Sequence, residues 1–163
     1  LFESINSNTI LVSLMAVNNE VGSVLPVNVA RKAINQKGAP ALIHADCVQA
    51  FGKIPLNVKK LGADLMTVSS HKIHGPKGVG ALYISPRLKS FPAYLIGGGQ
   101  EGNYRSGTEG TPAIFGFAAA CEACFKTFRE DIAREIENVF PLRLQKKIFD
   151  LPPQKPENRP MWG

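Results

Sequence analysis

The sequence predicts an α/β fold, a mostly parallel sheet with flanking helices, and three observations lead there. Four short apolar runs, residues 9–17, 41–46, 63–68 and 79–84, are bounded by polar or turn residues in the manner of buried strands. An amphipathic stretch over residues 26–37 separates the first two runs, as a crossover helix does in a β-α-β unit. The second run ends on a carboxylate and the third leads into a lysine, and in open α/β sheets ligands bind at the carboxyl ends of the strands.

The first run is β-branched and apolar and stops at Asn18-Asn19-Glu20, where paired asparagines favour a turn. In residues 26–37, Val27, Ala30, Ala33 and Ile34 share one helical face, and Lys37-Gly38 supplies a C-terminal charge and a stop. That helix is scaffold, expected to make a parallel, right-handed crossover. Ala41-Leu42-Ile43-His44-Ala45-Asp46 is the second strand, and His44 reads as a packed strand histidine. Residues 63–68 form the third strand, with Ser69, Ser70, His71 and Lys72 at its end; Gly75-Pro76-Lys77-Gly78 then turns the chain into residues 79–84.

Residues 97–108 form a glycine-rich loop whose backbone donors can approach an oxyanion closely. A helix follows from about residue 111 to 128. Ile114, Phe117, Ala118, Cys121, Cys124, Phe125, Phe128 and Ile132 trace one stripe on it, which puts both thiols of the Cys-x-x-Cys pair in a core. Residues 130–149 also read as helical and charged. Residues 1–149 are expected to form one domain and the proline-rich residues 150–163 a poorly ordered tail. The chain opens on Leu1 rather than methionine, with nothing like a helix start before the first strand, and is expected to be a piece of something longer.

Lys72 reads as a Schiff-base lysine. A protonated lysine is a poor nucleophile, so imine formation with an aldehyde cofactor needs a site that lowers its pKa or fixes it against the carbonyl. Asp46 supplies the complementary charge. Pyridoxal phosphate withdraws electrons only while its ring nitrogen is protonated, and a facing carboxylate keeps that proton in place. Gln49, three residues on, shares a face with Asp46 if a helical turn starts there and is then placed to bond the cofactor's ring hydroxyl. Lys77, the rival lysine, sits in a turn between Pro76 and Gly78. Cys47 is the thiol closest to this pocket; the charge of Asp46 raises its pKa and leaves less thiolate, so it reads as a small packed residue.

Four ordered blocks carry a family resemblance: Asn18-Asn19-Glu20-Val21-Gly22, the segment from Asp46 to Gln49, Ser69-Ser70-His71-Lys72 with Gly75-Pro76-Lys77-Gly78, and Gly97-Gly98-Gly99-Gln100-Glu101 with Arg105-Ser106-Gly107-Thr108-Glu109. Over residues 9–128 the chain resembles cysteine desulfurases of the class V aminotransferase family. The resemblance implies part of the large domain of a fold type I enzyme that uses pyridoxal 5'-phosphate. It implies that Asn19 approaches the cofactor's ring oxygen and that Ser69 and His71 help hold its phosphate. Thr108 is implied to reach the phosphate of a neighbouring subunit's cofactor, hence a homodimer. His74 departs from the tyrosine often found in its place.

By the same resemblance the substrate is L-cysteine, which gives alanine and an enzyme persulfide, and the partners are iron–sulfur scaffold or sulfur-acceptor proteins. The family's acceptor cysteine lies on a mobile loop much further toward the C-terminus, which argues against Cys47 in that role. The family's N-terminal phosphate loop and stacking histidine, and its C-terminal small domain, have no counterpart in this sequence. Turnover by the chain alone is therefore in question. A selenocysteine lyase or another member of the family, and a non-catalytic remnant acting through dimerisation, are the alternatives.

Composition narrows the remaining classes. At 163 residues with 44% hydrophobic residues, the chain is long enough for a sizeable core. It has no apolar stretch of membrane-spanning length and no signal-peptide pattern, so the expectation is a cytoplasmic protein, organellar if eukaryotic, with no membrane partner. The net charge of +6 is scattered rather than interleaved with aromatics, which disfavours a nucleic-acid partner. Three cysteines argue against a disulfide framework, and the one Cys-x-x-Cys pair lacks the further ligands of a zinc site, so no metal is expected.

Overall fold

The structure, a computed structural model, describes residues 1–139. The expected tail and the end of the expected second helical stretch lie outside the described residues. Strand β1 spans Leu11–Met15, helix α1 Val27–Lys37, β2 Leu42–Asp46, the short helix α2 Val58–Leu61, β3 Leu65–Ser69, β4 Gly80–Ile84 and helix α3 Thr111–Val139. The sheet order is β1-β2-β3-β4, with β1 to β3 parallel and β4 antiparallel to β3. The chain thus has the mostly parallel sheet with flanking helices that its pattern predicts.

Strand alternation separates two unlike faces. Val12, Ile43, Ala45, Met66 and Val68 point to the core, where Ile43 and Ala45 are wholly buried. Helix α1 brings its predicted stripe, Val27, Ala30, Ala33 and Ile34, to the same core and ends at Gly38 in the left-handed conformation. Burying a side chain such as Ile43 contributes about 1.5–3 kcal/mol. The opposite face carries Ser13, His44 and Thr67, and His44 is not packed among apolar groups as expected. Its Nδ1 lies 2.8 Å from Ser13 Oγ and its Nε2 3.1 Å from Thr67 Oγ1, a polar row across three strands.

The amino end of β3 is tied down by Asp64, which is 3% exposed. One carboxylate oxygen accepts from Arg31 of α1 and from the Ile43 backbone N–H at 2.9 Å; the other accepts from Arg87 at 2.7 Å. Asn57 caps α2 by accepting from Lys60 N–H at 3.0 Å, and Gly62 ends it in the left-handed conformation. These contacts hold the sheet from below and leave the carboxyl ends of β1, β2 and β3 at one edge.

The stripe on α3 is only partly as predicted. Phe117, Cys121, Cys124 and Phe125 pack against the core and Ala120 joins them, whereas Ile114 and Ala118 are exposed. The contact face is set by close approach to the turns beneath it. A Cβ on Gly116 would lie 2.7 Å from Pro76 Cγ, so the helix needs its smallest residue over that turn. Phe51 meets Phe117 and Phe125 edge-on at centroid separations of 6.3 and 5.5 Å, which fixes α3 over the turn after β2. Among the described residues, no helix is long and apolar enough to cross a membrane.

Candidate active site

Three parallel strands spaced about 4.8 Å apart place their carboxyl ends within about 10 Å of sheet width. Asp46 is the last residue of β2, in register with Met15 of β1 and Thr67 of β3. Val48 N–H donates to Asp46 Oδ1 at 3.0 Å, which orients the carboxylate, and no described protein group bonds Oδ2. The chain then runs through consecutive turns in which Cys47 C=O accepts from Ala50 N–H at 3.0 Å and Phe51 N–H at 2.8 Å. Gln49 is half-buried on this turn, and its Oε1 accepts from Lys53 Nζ at 3.2 Å.

Directly after β3, Ser70–Ile73 forms one 3-10 turn. Side chains three apart eclipse one another on such a turn, so Ser70 and Ile73 share the inner side, at 0% and 3% exposure. His71 and Lys72, between them, turn outward. The Ser70 carbonyl accepts from His74 N–H and from Gly75 N–H, and Ser70 N–H donates to Val79 C=O at 3.1 Å. Gly75 is required by space: a Cβ there would lie 2.1 Å from Ser70 Oγ. Lys72 is half-buried and makes no hydrogen bond or ion pair among the described residues. Ser69 Oγ and His71 Nδ1 are 2.8 Å apart, a hydroxyl and an imidazole in contact on the turn that carries the lysine. Lys77 is exposed in the following turn, away from a strand end.

The asparagine pair after β1 divides its work. Asn18 Oδ1 accepts from Glu20 N–H at 2.9 Å and Val21 N–H at 3.0 Å, so Asn18 makes the turn. Asn19 is left exposed, with its Nδ2 donating to Glu20 Oε1 at 2.6 Å. Thr108 is also exposed, on a loop braced by Arg105, whose guanidinium donates to Gly107 C=O at 2.6 Å and Ser106 C=O at 3.1 Å. Asn19, Asp46, Gln49, Ser69, His71 and Lys72 therefore all lie at or just beyond the carboxyl ends of adjacent strands. No described contact joins Thr108 to them.

Burial raises the pKa of two of the three thiols. Cys47 is wholly buried and its pKa is pushed up to about 12, by burial first and by the neighbouring Asp46 charge second. Burial was thus the larger cause, where sequence reasoning named only the charge. The half-buried Cys121 is also raised, by burial and then by Cys124. Among the described residues no group of three His, Cys, Asp or Glu side chains is gathered to hold a metal ion. Sequence reasoning passed over Ser70 and Ile73, although their i, i+3 spacing around Lys72 was the available signal.

A family model described as aminotransferase class-V matches residues 1–153. The chain is 49% identical over 131 residues to the mitochondrial cysteine desulfurase of Arabidopsis thaliana, covering 79% of this chain and 28% of that protein. It is 44% identical over 139 residues to the cysteine desulfurase IscS of Rickettsia typhi, covering 84% and 33%. Among solved structures, a NifS-like protein from Rickettsia africae aligns with TM-score 0.72 at 36% identity, covering 93% of this chain and 41% of that one. A cysteine desulfurase from Thermococcus onnurineus aligns with TM-score 0.67 at 28% identity, covering 75% and 34%. The chain spans about a third of the length of the curated relatives it matches.

Proposed function

The chain belongs to the class-V aminotransferase family, and on that premise we propose that it is the central part of a pyridoxal-phosphate-dependent cysteine desulfurase. The proposed reaction removes sulfur from L-cysteine, leaving alanine and a persulfide on an enzyme thiol for transfer to iron–sulfur scaffold or sulfur-acceptor proteins. The carrying observation is the convergence of Asp46 and Lys72 on adjacent strand ends, the one with an unbonded carboxylate oxygen and the other with an amine free of described partners. Curated relatives from plant, cyanobacterial, microsporidian and archaeal sources bear the name cysteine desulfurase, which favours that substrate over selenocysteine.

The donor set suits the cofactor. Pyridoxal phosphate, when bound, supplies an electron sink for the pair left on the substrate carbon after proton loss. Asp46 Oδ2 would hold the proton on the cofactor's ring nitrogen, with the Val48 N–H bond fixing the carboxylate at its other oxygen. With the cofactor bound, Lys72 Nζ would hold it by condensing with its aldehyde carbon, the aldehyde oxygen leaving as water, and would be the amine placed to move the substrate Cα proton. Asn19 and Gln49 are assigned to the ring oxygen, Ser69 and His71 to the phosphate, and Thr108 to the phosphate bound in a partner subunit, so the working unit is a homodimer. The sulfur-accepting thiol is not Cys47, whose burial and raised pKa keep it protonated. Residues 1–149 are assigned to the cofactor-binding domain, and the protein is placed in the cytoplasm, or in an organelle if eukaryotic.

The test is to mix the chain with pyridoxal phosphate, follow the visible absorption band, reduce with borohydride and map the labelled peptide. Label on Lys72, absent from Lys72→Ala, is the expected result. Label confined to Lys53 or Lys77 would overturn the assignment.

A further inference from the structure

The turn that follows Asp46 and the turn that carries Lys72 come from different strands, and one glycine touches both. Gly52 has φ +74° and sits at the end of the consecutive turns that begin at Asp46. A Cβ there would lie 2.8 Å from Ile73 Cγ2 on the lysine turn and 2.6 Å from Cys124 Sγ on α3. Cys124 Sγ donates to Gly52 C=O at 3.4 Å, so α3 holds the glycine's carbonyl as well as closing on its Cα. On the lysine side, Ile73 is 3% exposed and eclipses Ser70 across the turn, with Lys72 between them. On the other side, Ala50 is wholly buried, and Lys53 and Ile54 N–H both donate to its carbonyl, which keeps Gly52 rigidly attached to the Asp46 turn.

We propose that Gly52 is a positioning residue that sets the separation between Asp46 and Lys72, with Ile73 and Cys124 closing the joint. This rests on the reading of Asp46 and Lys72 as two ends of one cofactor site. The positive φ explains why a glycine is favoured in the turn. It does not explain why two other elements approach to within a methyl group of it. That approach transmits position: a shift of Ile73 moves Lys72, the preceding residue, and a shift of Gly52 moves the turn that carries Gln49 and orients Asp46. Reactions that depend on two groups meeting one small ring are sensitive to displacements of about 1 Å.

The experiment uses the full chain with pyridoxal phosphate and reads two quantities: the rate of borohydride-trapped label at Lys72 and the pH midpoint of the visible band. Circular dichroism reports folding. Labelling of the wild type at Lys72 tests the site itself, and its failure overturns both the site reading and this proposal. With the wild type labelled, Cys124→Ala and Ile73→Val remove atoms and loosen the joint. Each is expected to slow trapping by about threefold or more and to move the pH midpoint. Cys124→Ser, which keeps a donor toward the Gly52 carbonyl, is expected to return both quantities toward wild type. Gly52→Ala, where it folds, is expected to slow trapping by about tenfold or more, and by less when combined with Cys124→Ala. Wild-type rates and midpoints in folded Cys124→Ala and Ile73→Val would overturn the proposal while leaving the site reading intact.

Discussion

Replacing Asp64 tests the scaffold beneath the site. Its side chain is 5% exposed and meets two arginines of very different exposure, Arg31 at 25% and Arg87 at 63%. Removing one member of a buried pair leaves an uncompensated charge and costs about 3–5 kcal/mol. Asp64→Ala strands Arg31 in that way, and it also strips the acceptor from the buried Ile43 N–H, worth about a further 1–3 kcal/mol. Asp64→Asn keeps an oxygen for that N–H but loses the charge, so it falls below Asp64→Ala. Arg87→Ala removes a largely solvated partner and is expected to cost no more than about 1 kcal/mol. The predicted order of destabilisation is Asp64→Ala, then Asp64→Asn, then Arg87→Ala, read from urea unfolding with the denaturant slope held common. If Asp64→Ala and Arg87→Ala unfold within about 1 kcal/mol of each other, Asp64 is not the buried centre of this network and the reasoning is wrong.

Three further outcomes follow from single residues. The folded pKa of Cys47 stands above the ordinary thiol value, so its stabilising contribution is complete below pH 9 and is lost as pH rises from about 9 to about 12. Wild type compared with Cys47→Ala should show that excess loss at about 1.4 kcal/mol per pH unit at most, and parallel pH profiles would contradict it. Asn18→Ala, which removes the acceptor for two backbone N–H groups, should cost about 1 kcal/mol in thermal or urea unfolding, whereas Asn19→Ala should cost little and instead weaken cofactor retention. Asp46→Asn should weaken pyridoxal phosphate binding by about tenfold to a hundredfold in equilibrium dialysis, since a charge-assisted bond is replaced by a neutral one; unchanged binding would remove Asp46 from the site.

Much of this was legible in sequence because it is written in local patterns. The run ending at Asp46 became β2 with that same last residue, and the stripe predicted on α1 is the stripe that is buried. Lys72 falls just past a strand end because an apolar run of strand length gives way to small and polar residues. What escaped depends on residues far apart in the chain. Asp64 is a single charged residue in an apolar run, and its partners lie on α1 and beyond β4. The stripe on α3 holds at Phe117, Cys121, Cys124 and Phe125 and fails at Ile114 and Ala118, because periodicity marks an apolar face but not how much of it the rest of the fold covers. His44 was read by its apolar neighbours in the strand, but alternation turns it to the other face, toward two hydroxyls on β1 and β3.

The single antiparallel strand predicts different folding histories for the two halves of the candidate site. Ser69 is opposite Gly80, whereas Leu11 is opposite Leu42, so β3 and β4 meet across a much shorter intervening chain than β1 and β2. The chain-closure entropy cost is lower by about 1 kcal/mol for the shorter connection. Lys72 is carried on that short connection, whereas Asn19 and Asp46 lie at or just beyond the ends of strands joined by the longer crossover. On contact order alone, the turn bearing Lys72 is expected to close as a local hairpin before Asp46 is docked beside it. Pulse-labelled hydrogen exchange during refolding would show this as earlier protection at Ser70 N–H than at Ala16 N–H, whose bond spans β1 to Asp46.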